Sequence, residues 1–402
     1  MKQFMQLELV KNNNAKGAVK PVLKNFDEQV MKRVRGFHKS MWGYYKPTRL
    51  VELKELAEWF GVKGIFVKDE SSRFGLKAFK GLGGSYAIAA YLAERLGKNV
   101  EDVDFDYLTS EAVREKLGEI TFATTTDGNH GRGIAWAARV FGFKSVVYMP
   151  KGTVKERAVI IANEGAAVKI TDLNYDDTVR MLARDAAANG WIVMQDTSWE
   201  GYTQVPLAIM QGYTTLVDEA LEELPEPATH VFAQAGVGSF AAAVQAVFVN
   251  KGQKPVFTIL EAAKANCFYR SFQNNKMESV GGDLSTIMAG LACGEISPLA
   301  WDILYNYSDY VVSCRDEVTA LGMRILGNPL GNDQKVIAGE SGAVGAGVIG
   351  MLDKYHNLKT ELGLNKDSII LLFNTEGDTY ADGYRDIVWG GQLPFDYRRR
   401  EE

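Results

Sequence analysis

Runs of apolar, largely β-branched residues recur along this chain and alternate with segments whose apolar positions return every three or four residues. The first kind predicts strands over 65–68, 120–125, 145–149, 167–171, 191–195, 230–234, 256–260, 310–313 and 368–373. Several are apolar throughout rather than alternating, as expected of parallel strands covered on both faces. The second kind predicts helices over 85–96, where Tyr86, Ile88, Ala89 and Leu92 share a face, and over 176–188, 206–221, 240–250, 317–326 and 342–352. Thr153 followed by Glu156 has the spacing of a capping box and predicts a helix that ends near Gly165. Strand–helix alternation over this length predicts a doubly wound α/β fold, in which reactive groups sit in loops at the carboxyl ends of strands.

Length favours two lobes, because 402 residues are many for one core. The 45 basic and 50 acidic side chains are interspersed and sum to −5, which leaves no basic footprint for a nucleic acid or an anionic membrane. The longest uncharged stretch, 231–249, is interrupted by Gln234, Gly236, Gly238, Ser239 and Gln245, so it predicts a strand, a turn and a helix rather than a membrane span. The N-terminus lacks the apolar core and small-residue cleavage site of a secretory signal. Three scattered cysteines make neither a disulfide framework nor a zinc site, and the four histidines show no ligand spacing, so no metal is expected. A cytoplasmic location follows, where a Cys267–Cys293 bridge is disfavoured.

Four strand-ending loops carry chemistry-bearing residues. In Ala78-Phe79-Lys80-Gly81-Leu82-Gly83-Gly84, one lysine stands among small residues that leave room for a flat ring. Desolvation or nearby positive charge is expected to lower its amine pKa and make it a nucleophile and base. By itself it reads more simply as a surface lysine before a flexible turn. The second loop, Thr124 to Gly133, contains Thr126-Asp127-Gly128-Asn129, where Asn129 can donate to a phenolate-like oxygen. A helix-capping turn is the plain alternative. The third, Ala235-Gly236-Val237-Gly238-Ser239, is a glycine turn whose backbone N–H groups suit a phosphate, though nucleotide sites share the pattern. The fourth, Asn374 to Thr379, offers Thr375 to a ring nitrogen, or is a simple polar turn.

The order and spacing of these loops change the reading: 49 residues separate Lys80 from Asn129, 107 more lead to Gly236, and a further 139 lead to Thr375. In this the chain resembles the fold-type II, or tryptophan-synthase-β-like, pyridoxal-phosphate enzymes. Within that class it is most similar to the diaminopropionate ammonia-lyases. The stretches that carry the likeness are Val67 to Ser71 with Arg73 to Leu76, Thr121 to Arg132, Gln195 to Thr203, Ile287 to Glu295, Gly339 to Ala343 and Thr375 to Thr379. Together they span about Tyr44 to Trp389.

The resemblance implies a large cofactor-binding lobe of residues 1–84 and 196–402 and a small substrate-side lobe of 85–195, with pyridoxal 5'-phosphate between them. It implies that Lys80 forms the Schiff base, Asn129 meets the ring oxygen, Gly236, Val237, Gly238 and Ser239 hold the phosphate, and Thr375 faces the ring nitrogen. A neutral hydroxyl at that nitrogen makes the ring a weaker electron sink, which favours β-elimination over transamination. Asp127 is the discriminating residue, since many dehydratases of the class have a small residue there. Its carboxylate, with Asp196 and Thr126, is expected to bind a substrate carrying a second ammonium.

The implied reaction is α,β-elimination of ammonia from 2,3-diaminopropionate, D and L, to pyruvate and two ammonia. Lys80 would take the α-proton of the L-form and Asp127 that of the D-form. His130 is expected to support its loop rather than catalyse. The chain departs from the wider class at Ala78, where a serine is frequent, and at Glu376, where a glycine is common. A homodimer is also implied. The nearest competing reading is a serine or threonine dehydratase-type lyase of the same fold. A different class would be a non-catalytic phosphate-ligand binding protein that keeps only the glycine turn.

Overall fold

A computed structural model describes residues 2–3, 6–14, 20–126 and 128–395. Its twelve strands are β1 (Lys2–Gln3), β2 (Leu7–Lys11), β3 (Leu50–Glu52), β4 (Gly64–Asp69), β5 (Thr121–Thr125), β6 (Lys144–Met149), β7 (Ala167–Ile170), β8 (Ile192–Val193), β9 (His230–Gln234), β10 (Val256–Ala262), β11 (Tyr310–Cys314) and β12 (Ile369–Asn374). They form two sheets, one ordered β1-β2-β11-β10-β9-β12-β4-β3 and the other β7-β6-β5-β8.

The interior strands β11, β10, β9, β12 and β4 run parallel, and β2 and β3 close the large sheet antiparallel. Strands β4, β9, β11 and β12 are buried at every residue, which is why their central residues are mainly apolar on both faces, with polar residues such as His230, Lys68, Asp69, Gln234 and Asn374 at their ends. The fold is therefore the doubly wound α/β arrangement expected. In the large sheet, β9, β10 and β11 follow one another in one direction while β12 lies on the other side of β9. In the small sheet, β5, β6 and β7 do the same while β8 lies on the other side of β5. Each sheet thus has a switch point, the place where an open α/β sheet leaves a crevice at its strand ends. The segments leaving those strands are, from the small sheet, Gln195-Asp196 and the stretch with Thr126, Gly128 and Asn129 that starts the next helix, and, from the large one, Ala235 to Ser239 and Thr375-Glu376.

Two local expectations are corrected. Residues 80–84 are not a flexible turn but the first turns of a helix, Lys80–Arg95. Its glycines serve close packing. A Cβ on Gly83 would lie 2.6 Å from the Tyr213 ring, one on Gly212 2.5 Å from the Leu82 carbonyl, and one on Gly133 2.9 Å from the Lys80 backbone. The helices Gln204–Glu223 and Asn129–Phe141 can thereby press against the Lys80 helix and fix where its first residue points. The helix predicted after Thr153 does form, as Lys155–Asn163, but without the capping box: its cap residue is Val154, and the Thr153 hydroxyl donates to the Pro150 carbonyl at 2.8 Å. The uncharged stretch at 231–249 is strand β9, a glycine turn and the helix Ser239–Asn250. Among the described residues no helix is long and apolar enough to cross a membrane. Cys267, Cys293 and Cys314 are all buried, and no disulfide joins them.

Part of the family-like stretch at 67–76 has a structural use. Lys68 and Arg73, both fully buried, contact the Glu219 carboxylate at 2.9 and 2.6 Å. Arg73 also contacts Glu70 at 2.8 Å, and Thr48 donates to Glu70 at 2.5 Å. Burial alone would raise the Glu219 pKa, but Arg73 and Lys68 together hold it down at about 2. Its contribution to stability is therefore full above the ordinary carboxylate range near 4.5 and is lost as pH falls toward 2. Glu219→Ala leaves two buried cations short of their shared anion and is expected to cost roughly 3–5 kcal/mol. Urea unfolding at neutral pH measures this, and a loss below about 1 kcal/mol would show that the cluster is not mutually dependent.

Candidate active site

The two switch points face one cleft of about 1060 Å³, part of it open to solvent. Its walls include Lys80, Thr126, Asn129, Asp196, Gly236, Val237, Gly238, Ser239 and Thr375. The structure thus brings nine of the ten residues singled out by sequence into one place. The tenth, Asp127, lies outside the described residues.

Lys80 reaches the cleft because the chain before it is pinned to the end of β12. Ala78 bridges to Glu376, the Phe79 N–H donates to the Thr375 carbonyl at 3.2 Å, and the Gly377 N–H donates to the Lys77 carbonyl at 2.8 Å. Its amine donates to the Asp196 carboxylate at 2.6 Å. Burial works to depress the pKa of this amine, but the Asp196 charge outweighs it and the net effect is well above the usual lysine value. The lowered pKa expected from sequence is thus corrected: a carboxylate 116 residues away decides the sign. Asp196 shows the reciprocal effect. Its burial opposes ionisation, yet His130 and Lys80 bring it down to about 2.

Asp196 is fixed at its own backbone too, where its carbonyl accepts from the Ser239 hydroxyl at 2.5 Å. His130 packs beside it. Its Nε2 bonds the Met194 carbonyl at 2.8 Å, and its buried Nδ1 stands 3.6 Å from the Asp196 carboxylate with no hydrogen-bond partner. Burial is the largest influence on this imidazole and favours its neutral form. Thr126 is buried and accepts from the Gly128 N–H at 2.9 Å, which shapes the turn leading into the helix Asn129–Phe141.

Opposite, Gly238 has φ +96°, and a Cβ there would lie 2.5 Å from the Phe268 ring; a Cβ on Gly236 would lie 2.8 Å from the Gly290 carbonyl. The turn therefore requires glycines. It delivers the start of the helix Ser239–Asn250, whose first N–H groups have no intrahelical acceptor and attract an anion such as a phosphate. Thr375, also buried, closes the far side, with its oxygen 3.4 Å from the Gln234 amide nitrogen. That amide donates its shorter bonds to the carbonyls of Phe373 and Ser341, at 2.9 and 3.0 Å. An amine nucleophile, an amide donor, an anion cradle and a hydroxyl around one cleft fit pyridoxal phosphate. No cluster of metal-ligating side chains occurs among the described residues.

Sequence reasoning gave no role to Gln234, Ser341, Arg157 or Tyr175, all of which line the cleft. Ser341 lies in a stretch quoted for the family likeness, which was the available signal. Arg157 and Tyr175 lie on small-sheet helices with no motif to mark them.

The pyridoxal-phosphate dependent enzyme family matches the chain over residues 41–374. The diaminopropionate ammonia-lyase of Escherichia coli K12 is 50% identical over 397 residues, which cover 96% of this chain and 98% of that one. The diaminopropionate ammonia-lyase of Salmonella typhimurium is 46% identical over 371 residues, 89% of this chain and 92% of its own. The crystal structure of the Escherichia coli enzyme in complex with an aminoacrylate-PLP azomethine reaction intermediate superposes with a TM-score of 0.89 at 47% identity, over 96% of this chain and 98% of that chain. The chain belongs to the pyridoxal-phosphate dependent enzymes and, among them, to the diaminopropionate ammonia-lyase family.

Proposed function

We propose that this protein is a carbon–nitrogen lyase that uses pyridoxal 5'-phosphate to eliminate ammonia from D- and L-2,3-diaminopropionate, releasing aminoacrylate, which water hydrolyses to pyruvate and a second ammonia. The observation that carries the reading is the Lys80 amine held 2.6 Å from Asp196 in a cleft shared with Asn129, Thr375 and the glycine turn. When bound, the cofactor supplies the electron sink that acidifies the α-hydrogen of an amino acid.

Every other part belongs to the chain. Lys80 provides the covalent attachment and, once free, removes the α-hydrogen of the L-substrate. Asp196 stabilises the ammonium that Lys80 becomes. Asp127 removes the α-hydrogen of the D-substrate. Thr126, Asp127 and Asp196 hold the substrate, and the two carboxylates favour one with a second ammonium. That group departs as neutral ammonia, so no separate acid is needed to assist it. Gly236 to Ser239 hold the phosphate, Asn129 the ring oxygen and Thr375 the ring nitrogen. The lobes divide as 1–84 with 196–402 and 85–195; the small sheet, β5 to β8, lies wholly within 85–195, which supports two lobes, although the first boundary falls inside the helix Lys80–Arg95. The enzyme works in the cytoplasm, whose reducing setting suits three buried cysteines joined by no disulfide, and it works as a homodimer.

The test is pyruvate formation from D- and L-diaminopropionate, serine and threonine. Turnover per unit concentration is expected to favour diaminopropionate by at least about a hundredfold, because the site's anions are left unpaired by a substrate lacking the second amine. A preference for serine or threonine would assign the protein to the dehydratase alternative. Absence of any turnover together with phosphate-ligand binding would assign it to the non-catalytic one.

A further inference from the structure

Glu376 is the departure from the wider class that the reaction above leaves without a role. It is buried, at 5% exposure, at the end of β12 beside Thr375. One carboxylate oxygen accepts from the Ser341 N–H at 2.7 Å, and the other accepts from the Asn129 side-chain amide. Ser341 in turn accepts the Gly290 N–H on its hydroxyl at 3.2 Å, and the Gly290 carbonyl is the group that crowds Gly236. One carboxylate therefore ties the asparagine loop of the small sheet to the segment that backs the glycine turn. The backbone is interlocked at the same place. The Gly339 N–H donates to the Glu376 carbonyl at 2.8 Å, and a Cβ on Gly342 would lie 2.8 Å from that carbonyl oxygen.

The chemistry of this contact is asymmetric. A primary amide can turn over and exchange its oxygen for its nitrogen at small cost, but a carboxylate only accepts. Against Glu376 the Asn129 amide can present only its nitrogen, since the reverse would set two oxygens against each other. The second N–H on that nitrogen is then left for another acceptor. We propose that Glu376 is a positioning residue that fixes the Asn129 amide, so that it offers a donor rather than its carbonyl to the ring oxygen of the cofactor. The proposal rests on the assignment of Asn129 to that oxygen. Glu340, buried on the Ser341 segment, is pushed up to about 7 by its burial and by the Glu376 carboxylate beside it.

The test compares holoenzyme of the parent, Glu376→Gln, Asn129→Ala and the double variant by visible absorbance, cofactor dissociation constant, and kcat and KM separately. Glutamine keeps the shape but has one accepting end, so it cannot satisfy both Ser341 and Asn129. Glu376→Gln is expected to shift the cofactor band in the same direction as Asn129→Ala and to weaken cofactor binding roughly tenfold, the scale of one charge-assisted hydrogen bond. The double variant should bind no more than about twofold weaker than Asn129→Ala, because both changes remove one interaction. A parental spectrum and dissociation constant in Glu376→Gln, or two losses that multiply in the double variant, overturn the proposal. If Glu376→Gln does not fold, Glu376→Asp, too short to reach both partners, is read by the same criteria. A parent that shows no cofactor band would instead overturn the functional assignment itself.

Discussion

Lys80→Ala is expected to abolish the visible band of bound cofactor and to lower pyruvate formation from both enantiomers by at least about a thousandfold, the combined scale of losing a covalent attachment and a general base. The geometry sets this expectation. Lys80 is the first residue of its helix, held there by the pairing of residues 77–79 with 375–377 and by glycine contacts with two neighbouring helices. Of the residues lining the cleft it is the one lysine. No other amine on those walls stands ready to replace it. Thermal unfolding of the cofactor-free variant separates this loss from misfolding, since removing a side chain that reaches into an open cleft leaves the helix packing intact. Retention of more than a tenth of the parental turnover would show that the attachment lies elsewhere.

Asp127→Asn is expected to discriminate between mirror-image substrates. If Asp127 takes the α-hydrogen of the D-form and Lys80 that of the L-form, the amide should cost D-diaminopropionate turnover roughly 10²- to 10⁴-fold, the usual contribution of a positioned base. L-diaminopropionate turnover should fall by less than about tenfold, through weaker binding of the second ammonium. That binding loss appears in KM for both enantiomers, whereas the base loss appears in kcat for the D-form alone. Equal losses in kcat on the two substrates would refute the division of labour and leave Asp127 as a binding residue only.

The sequence made the scaffold of the site legible where burial is complete. Strands β4, β9, β11 and β12 are covered on both faces and so read as mainly apolar runs, and the ends of β9 and β12, with that of β5 in the small sheet, located three of the four loops. Where glycine has two uses the reading failed. Gly81, Gly83 and Gly84 look like a turn, yet they lie inside a helix that needs their missing side chains to approach Tyr213 and Gly133. Strands of two or three residues, such as β3 and β8, carry too little pattern to bound. The helix Asn129–Phe141 begins with residues that resemble its own loop.

The electrostatics of the site were the least legible. The Lys80 amine is raised rather than lowered because Asp196 arrives from another sheet. Glu376 meets an asparagine 247 residues away, a contact that no local pattern announces. By contrast, the identity of the residues in the cleft came through the order and spacing of the four loops. Individually each had a plainer explanation, and the structure brings them to the walls of one cleft, which no single loop could imply.

The most direct measurement is peptide mapping of holoenzyme treated with borohydride. The account predicts one reduced cofactor adduct per chain, on the peptide that contains Lys80 and absent from the Lys80→Ala protein. An adduct on a different lysine, or none in a protein that still forms pyruvate from diaminopropionate, would contradict it.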